Sequence, residues 1–180
     1  MFDYILSIDS NITLWFYGLR SDAGVSIFRY ITHIGSTEVI VLLALIFISY
    51  LLYQGRYRSA GVFFAGLVAN TLIIFLLKIL VHRPRQAFSI MIESDYSFPS
   101  GHTAAAIFFF GFMLYYVSKN ISKESLRITV RIFCLLFITL IPVSRLYLGA
   151  HYLTDVLASI IIASTVLYVT VKWWEKSLEA

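Results

Sequence analysis

Charge is scarce in this chain. Lys and Arg number 14 and Asp and Glu 10 among 180 residues, 13% of the total, against 59% hydrophobic residues. Mean hydropathy is +0.83. A soluble domain averages roughly 45–50% apolar and about 25% charged residues. The composition therefore excludes an ordinary soluble domain and implies a polytopic membrane protein forming one domain over residues 1–180. Cysteine is almost missing. Cys134 stands alone in an apolar segment, which excludes an internal disulfide or a zinc cluster and leaves packing as its role. Basic runs are missing as well. With a net charge of +4 and no cationic tract, the chain lacks what nucleic-acid binding would need. The N-terminus carries Asp3 and Asp9 but no early Lys or Arg, unlike a cleaved signal peptide. No sequence repeat, linker or low-complexity stretch divides the chain, and no obligate protein partner is evident.

What is there is a series of apolar runs. Residues 1–35 are apolar but interrupted by Asp9, Ser10, Asn11, Gly18, Arg20, Asp22 and Gly24. After an Asp9/Ser10 cap, Ile12, Trp15, Phe16 and Leu19 fall on one helical face. After Asp22, Ile27, Tyr30, Ile31 and Ile34 repeat that spacing, opposite Ser26, Arg29 and His33. Neither piece supplies about 20 uninterrupted apolar residues for a span, so two amphipathic helices lying in the interface are expected. Five spans follow in a core of residues 36–174, at about 38–53, 59–81, 101–117, 128–147 and 152–174. Trp173 and Trp174 read as an aromatic belt on the last. The expected fold is all-α, a polytopic membrane helical bundle of about five transmembrane helices plus the N-terminal interfacial pair.

Five spans place the loop 82–99 and the turn 145–151 on one side of the membrane. The opposite side carries Arg56, Arg58, Lys119, Lys123, Arg127, Arg131, Lys172 and Lys176. The first side has only Arg20 and Arg29 once Lys78, Arg83, Arg85 and Arg145 are set aside as candidate site residues. By the positive-inside rule the loop 82–99 faces the outside, or the periplasm of a Gram-negative cell.

Three ionisable clusters converge on that outer face. The central one is Pro99-Ser100-Gly101-His102, a helix start whose unpaired N–H groups and dipole suit an anion. Gly101 lets an anion approach the backbone, and His102 titrates near neutrality. The second is Lys78 with His82, Arg83 and Arg85. The third is Ser144-Arg145 followed by His151 and Asp155, which are four apart and meet if they share a helix. Each has a plainer reading. Lys78 can snorkel to the interface, Ser-Gly-His can be a cap, and His151–Asp155 can be a structural hydrogen bond. Asp155 is the hardest to dismiss, because a carboxylate inside a span is costly and marks function or a required partner. Together, cations and N–H groups around an anion with two histidines suit phosphoryl transfer. An imidazole oriented by Asp155 would be its nucleophile.

These residues resemble the type-2 phosphatidic acid phosphatase superfamily, which shares its catalytic architecture with vanadium haloperoxidases. The family pattern Pro-Ser-Gly-His is whole at Pro99–His102. The pattern Ser-Arg-x5-His-x3-Asp is whole from Ser144-Arg145 through His151 to Asp155. The pattern Lys-x6-Arg-Pro fits Lys78 and Arg85, with Gln86 in place of proline; Arg83-Pro84 is an Arg-Pro pair at another spacing. The segment Thr32-His33-Ile34-Gly35-Ser36 also resembles the stretch before the first core span in bacterial members. The resemblance implies that His151 attacks phosphorus, oriented by Asp155, and that His102 protonates the leaving oxygen. It implies phosphate contacts from Lys78, Arg85, Arg145, Ser100 and the Gly101 N–H, with Arg83 as second choice to Arg85. It implies no metal and no cofactor. Many members have six spans; this chain is expected to lack the first.

The implied function is a bacterial inner-membrane lipid phosphate phosphatase working through phosphohistidine. Its partners would be membrane lipids and a lipid phosphate, best undecaprenyl diphosphate or phosphatidylglycerophosphate, with a lipid A 1-phosphatase as the alternative. A small anion channel or transporter lined by Lys78, Arg145 and Asp155 is the rival from another class, and a catalytically dead lipid-binding relative is a third. Glu93 and Asp95 on the loop could repel a second phosphate or be merely solvated, and solvation is the expectation.

Overall fold

A computed structural model describes residues 2–179, and the side chains of residues 6–178. Its regular structure is entirely helical: α1 (Phe2–Gly18), α2 (Asp22–Ile34), α3 (Thr37–Tyr53), α4 (Tyr57–Val81), α5 (Gly101–Asn120), α6 (Glu124–Tyr147) and α7 (Leu153–Glu179). Helices α4 to α7 are each long and apolar enough to cross a membrane. The pair α2 and α3 passes only when counted together as one span bent by 40°. The chain is thus a multi-pass helical bundle of four spans, or five with the bent pair.

The central position of α5 follows from its sequence. Thr103, Ala104, Ala106, Ile107, Phe108, Phe109, Phe110, Phe112, Tyr116 and Val117 are all buried, and a helix apolar all round must lie inside its bundle. It packs against α3, α4, α6 and α7. Phe47, Phe63, Phe112 and Trp174 interlock around it, with Phe63–Phe112, Phe47–Phe63 and Phe112–Trp174 centroids 4.8, 5.0 and 5.0 Å apart. Such edge-on and tilted pairs add about 0.5–1.5 kcal/mol each beyond area burial. The expected aromatic belt is therefore half right. Trp173 is 58% exposed, but Trp174 is 0% exposed and belongs to this core. One step along a helix turns a side chain by about 100°, so adjacent tryptophans cannot share a face.

The N-terminal helices depart most from the sequence reading. The expected cap at Asp9/Ser10 is absent, since α1 runs straight through these positions. Ser10 donates to the Leu6 carbonyl within the helix, and Asp9 is wholly buried. Both helices pack on the bundle, α1 on α6 and α7 and α2 on α6. Their corner is clamped: Arg20 donates to the carbonyls of Tyr147 and Phe88, both at 2.8 Å. The Tyr147 hydroxyl accepts from the Ser21 N–H and donates to the Leu19 carbonyl. Ser21 and Ser36 cap α2 and α3, their hydroxyls accepting from the Gly24 and Val39 N–H groups. This clamp ties residues 19–21 to the end of α6, where the third motif begins.

Candidate active site

Each motif sits where a helix of the bundle starts or stops at one end. Lys78 lies in the last turn of α4, which is closed by His82 in a left-handed conformation. Residues 82–100 then run as an irregular loop. Ser100 caps α5, its Oγ accepting from the Thr103 N–H at 3.4 Å. Arg145 is in the last turn of α6. Gly149 follows with φ +70, in close reach of Arg20, Gln86 and the Phe88 carbonyl, so any side chain there would be strained and crowded. That turn delivers His151 just ahead of α7.

These elements enclose a cavity of about 740 Å³. Lys78, Arg85, Gly101, His102 and His151 line its polar end together with Glu93 and Asp95. Its walls are Ile40, Val41 and Ala44 from α3 and Phe64, Val68 and Ile74 from α4, among others. Of the residues singled out in the sequence, Ser100, Arg145 and Asp155 are 0% exposed and, like Arg83, do not line the cavity. Nothing lies within 4 Å of where a Gly101 Cβ would stand, so the first turn of α5 is open to the cavity.

The two arginines of the first motif part company. Arg85 is in the cavity wall. It donates to the Ala150 carbonyl at 2.8 Å and to the Asp95 carbonyl at 2.8 Å, and it pairs with Glu93 at 2.6 Å and with the Asp95 carboxylate. Arg83 does not line the cavity. It donates to Asp155 Oδ1 at 2.6 Å, to Thr154 Oγ1 at 2.7 Å and to Asp9 Oδ2 at 2.7 Å, with its guanidinium 4.0 Å over the Tyr152 ring. Opposing carboxylates hold the Arg83 guanidinium's pKa above its ordinary value, despite the burial that works against its charge. Asp9 completes this group by accepting from the N–H and hydroxyl of Thr154.

His151 and Asp155 do meet. His151 Nδ1 lies 3.5 Å from Asp155 Oδ2, an ion-pair distance longer than an ordinary hydrogen bond of about 2.7–3.2 Å. Asp155 is held on every side, by Arg83, by the Ser97 hydroxyl at 2.9 Å and by the Tyr152 N–H at 3.0 Å. Gln86, standing where the family pattern has proline, donates from Nε2 to the His151 carbonyl at 2.8 Å. The departure from the pattern thus serves to fix the His151 backbone. Burial pushes the His151 imidazole down to about 4, outweighing the favourable Asp155, so it is neutral at physiological pH.

Sequence reasoning missed Asp9, Gln86, Ser97, Thr154 and Thr32, whose hydroxyl accepts from Arg145 at 3.0 Å. Asp9 left a signal as a carboxylate in an apolar stretch, Gln86 as a departure from the family pattern and Thr32 as part of the family-like segment, but none of these showed its partner. Glu93 and Asp95, expected in solvent, instead hold the site's cations: Glu93 pairs with Arg145 and Arg85, and Asp95 with Lys78 at 2.9 Å and Arg85. The excess of uncompensated cations at the cavity drew them in. Burial works against both carboxylates, yet these cations hold their pKa values below the ordinary range. Among the described residues, no three His, Cys, Asp or Glu side chains converge as a metal cluster would.

The bundle is that of a multi-pass membrane protein with loop cations and two histidines lining one cavity. A sequence profile of the PAP2 superfamily matches residues 59–179, and the chain belongs to that superfamily. It is 29% identical to phosphatidylglycerophosphatase B of Bacillus subtilis (strain 168) over 131 residues, 71% of this chain and 64% of that protein. It is 33% identical to lipid phosphate phosphatase delta of Arabidopsis thaliana over 75 residues, 41% of this chain and 18% of that protein. The matches therefore span just under two thirds of the first relative and a small part of the second. The crystal structure of a transmembrane PAP2-type phosphatidylglycerolphosphate phosphatase from Bacillus subtilis superposes with a TM-score of 0.88 at 24% identity, covering 96% of this chain and 87% of that one. Aquifex aeolicus LpxE superposes with a TM-score of 0.66 at 22% identity, covering 90% and 93%. Both share the fold.

Proposed function

We propose that the protein is an integral-membrane phosphatase that removes phosphate from a lipid. The observation that carries this reading is the cavity: cations, the start of α5 and both histidines at one end, apolar walls from α3 and α4 along the rest. An amphiphile with a phosphate head and hydrocarbon tail fits both ends. A small anion channel would need polar groups throughout its path, whereas these walls are mainly apolar, with Thr37, Asn70 and Thr71 as exceptions. The relatives' names favour phosphatidylglycerophosphate over undecaprenyl diphosphate, with a lipid A 1-phosphate behind both. Phosphate release by the purified protein from a panel of these lipids tests the reading. Release from none of them would overturn it.

In the proposed chemistry, Lys78, Arg85 and Arg145 neutralise the phosphate oxygens, with the first N–H groups of α5. His151, its Nδ1 turned to Asp155, attacks phosphorus through Nε2. The phosphorus–oxygen bond to the lipid breaks as His102 gives its proton to the leaving oxygen. Water, deprotonated by His102, then releases phosphate from the phosphohistidine. Side-chain cations and N–H groups do the work a metal would otherwise do. Activity is therefore expected to survive EDTA and to be inhibited by vanadate, which adopts the trigonal-bipyramidal shape of phosphoryl transfer. Loss in EDTA with recovery on adding magnesium would contradict the metal-free route.

The pH profile follows from His151. Its pKa is lowered to about 4 by burial, so the neutral, nucleophilic form persists down to that pH and is lost as pH falls through it. Once the substrate's own ionisation is allowed for, kcat/KM is expected to lose its acid limb near pH 4. A limb centred near an ordinary histidine value of about 6.5 contradicts the buried, neutral nucleophile.

The reading carries an expectation of sidedness. Eight basic residues outside the motifs fall in or near the loops and C-terminus of one side against two on the other, and the positive-inside rule supports a site facing outside with the C-terminus in the cytoplasm. With Cys134 replaced, an impermeant thiol reagent on intact cells is expected to label cysteine at position 94 and spare position 177. The reverse pattern would move the chemistry to the cytoplasmic leaflet.

A further inference from the structure

Arg145 presents a geometric difficulty. It is 0% exposed and outside the cavity wall, while Glu93, with which it pairs, lines that wall. Glu93 therefore stands between Arg145 and the cavity. Its second oxygen engages Arg85 Nη2 at 2.6 Å, and the Asp95 carboxylate shares that Nη2 and pairs with Lys78. All three cations assigned to phosphate are thus paired with carboxylates of one loop. Arg145 still has a buried Nε without a partner, a donor that the carboxylate leaves unused. The loop that carries these acids is irregular between residues 82 and 100, and Ile92, beside Glu93 at the cavity, is fully exposed.

We propose that Glu93, backed by Asp95, is a specificity-determining anion: it occupies the phosphate site, and an incoming phosphate must displace it. The assignment rests on the phosphatase reading above for the identity of the site. Charge decides what can enter. Three cations and two carboxylates leave one net positive charge at the site. A dianionic terminal phosphate that displaces the carboxylates restores that balance and adds contacts to three cations. A phosphodiester headgroup carries one charge and has two of its oxygens esterified, so it cannot replace what it displaces. Phosphodiester lipids are the bulk of a membrane, and the carboxylates keep them out of a site that opens to it.

Glu93→Gln keeps the shape and removes the charge. Its affinity for inorganic phosphate, read by calorimetry or by competitive inhibition, is expected to rise about tenfold, the scale of a charged contact at a partly screened site. KM for a lipid phosphate should fall in step. Inhibition by phosphatidylglycerol in mixed micelles, absent in the parent, should become measurable. Unpaired Arg145 should lower the melting temperature, and phosphate should restore it by more than it raises the parent's. Asp95→Asn, at a more exposed carboxylate, should shift phosphate affinity in the same direction by less, and it decides the matter if Glu93→Gln does not fold. Equal or weaker phosphate binding in the variant overturns the assignment, as does unchanged exclusion of phosphatidylglycerol. Phosphate binding needs no turnover. A protein that hydrolyses no lipid phosphate would therefore refute the phosphatase reading while the binding comparison still judges Glu93.

Discussion

His151→Ala is expected to remove phosphate release while leaving a folded protein. Deleting a nucleophile from a unit that acts together costs on the order of 10⁴–10⁶ in rate. The fold should survive because His151 supports little else through its ring. Its Nδ1 is 3.5 Å from Asp155 and makes no closer polar contact, and Asp155 keeps Arg83, Ser97 and the Tyr152 N–H. The contact that positions the turn, Gln86 to the His151 carbonyl, does not involve the ring at all. Alanine leaves a cavity in a buried place, so a modest fall in melting temperature accompanies the loss. Retention of near-parental turnover would remove His151 from the mechanism; collapse of the protein would assign it to the fold instead.

The two arginines of the first motif are expected to fail in different ways. Arg83→Ala leaves Asp9 and Asp155, both fully buried, without their shared cation. Breaking a buried ion pair by removing one partner costs about 3–5 kcal/mol, so this variant should be poorly folded, with a much lowered melting temperature. Arg85→Ala removes a cavity-lining guanidinium whose loss should cost about 2–5 kcal/mol of phosphate or transition-state binding. Glu93 keeps Arg145 and Asp95 keeps Lys78, so the fold should hold. At equal expression, Arg85→Ala should be stable and slow. Should Arg83→Ala prove stable and inactive with Arg85→Ala near normal, the first motif is read in the wrong register.

The site candidates were legible because their side chains recur at fixed sequence spacings; His151 and Asp155 face each other at 3.5 Å although His151 stands just ahead of α7 and does not share its helix. The spans were legible because a bilayer demands long apolar runs, and residues 59–81 and 128–147 supply them. What escaped was tertiary. Asp9 reads as a helix cap from its neighbours, yet its carboxylate is consumed by Arg83 and Thr154, 74 and 145 residues away. Trp174 reads as an interfacial residue by its place at a span's end, and only the position of Phe112 and Tyr116 puts it in the core. Glu93 and Asp95 read as solvated loop acids because nothing local shows that the loop folds back over three cations. Gly35, at the bend between α2 and α3, likewise lies so close to Ile141 of α6 that a Cβ would clash, a proximity no window of sequence contains.

Phosphoryl trapping at His151 tests the account most directly. The purified protein would be mixed with a lipid phosphate carrying labelled phosphorus, quenched at alkaline pH within a turnover, digested and mapped. The account predicts label on the peptide containing His151, acid-labile and alkali-stable as a phosphoramidate is, and none in His151→Ala. Steady release of phosphate with no label on His151, or label on His102 instead, would contradict it.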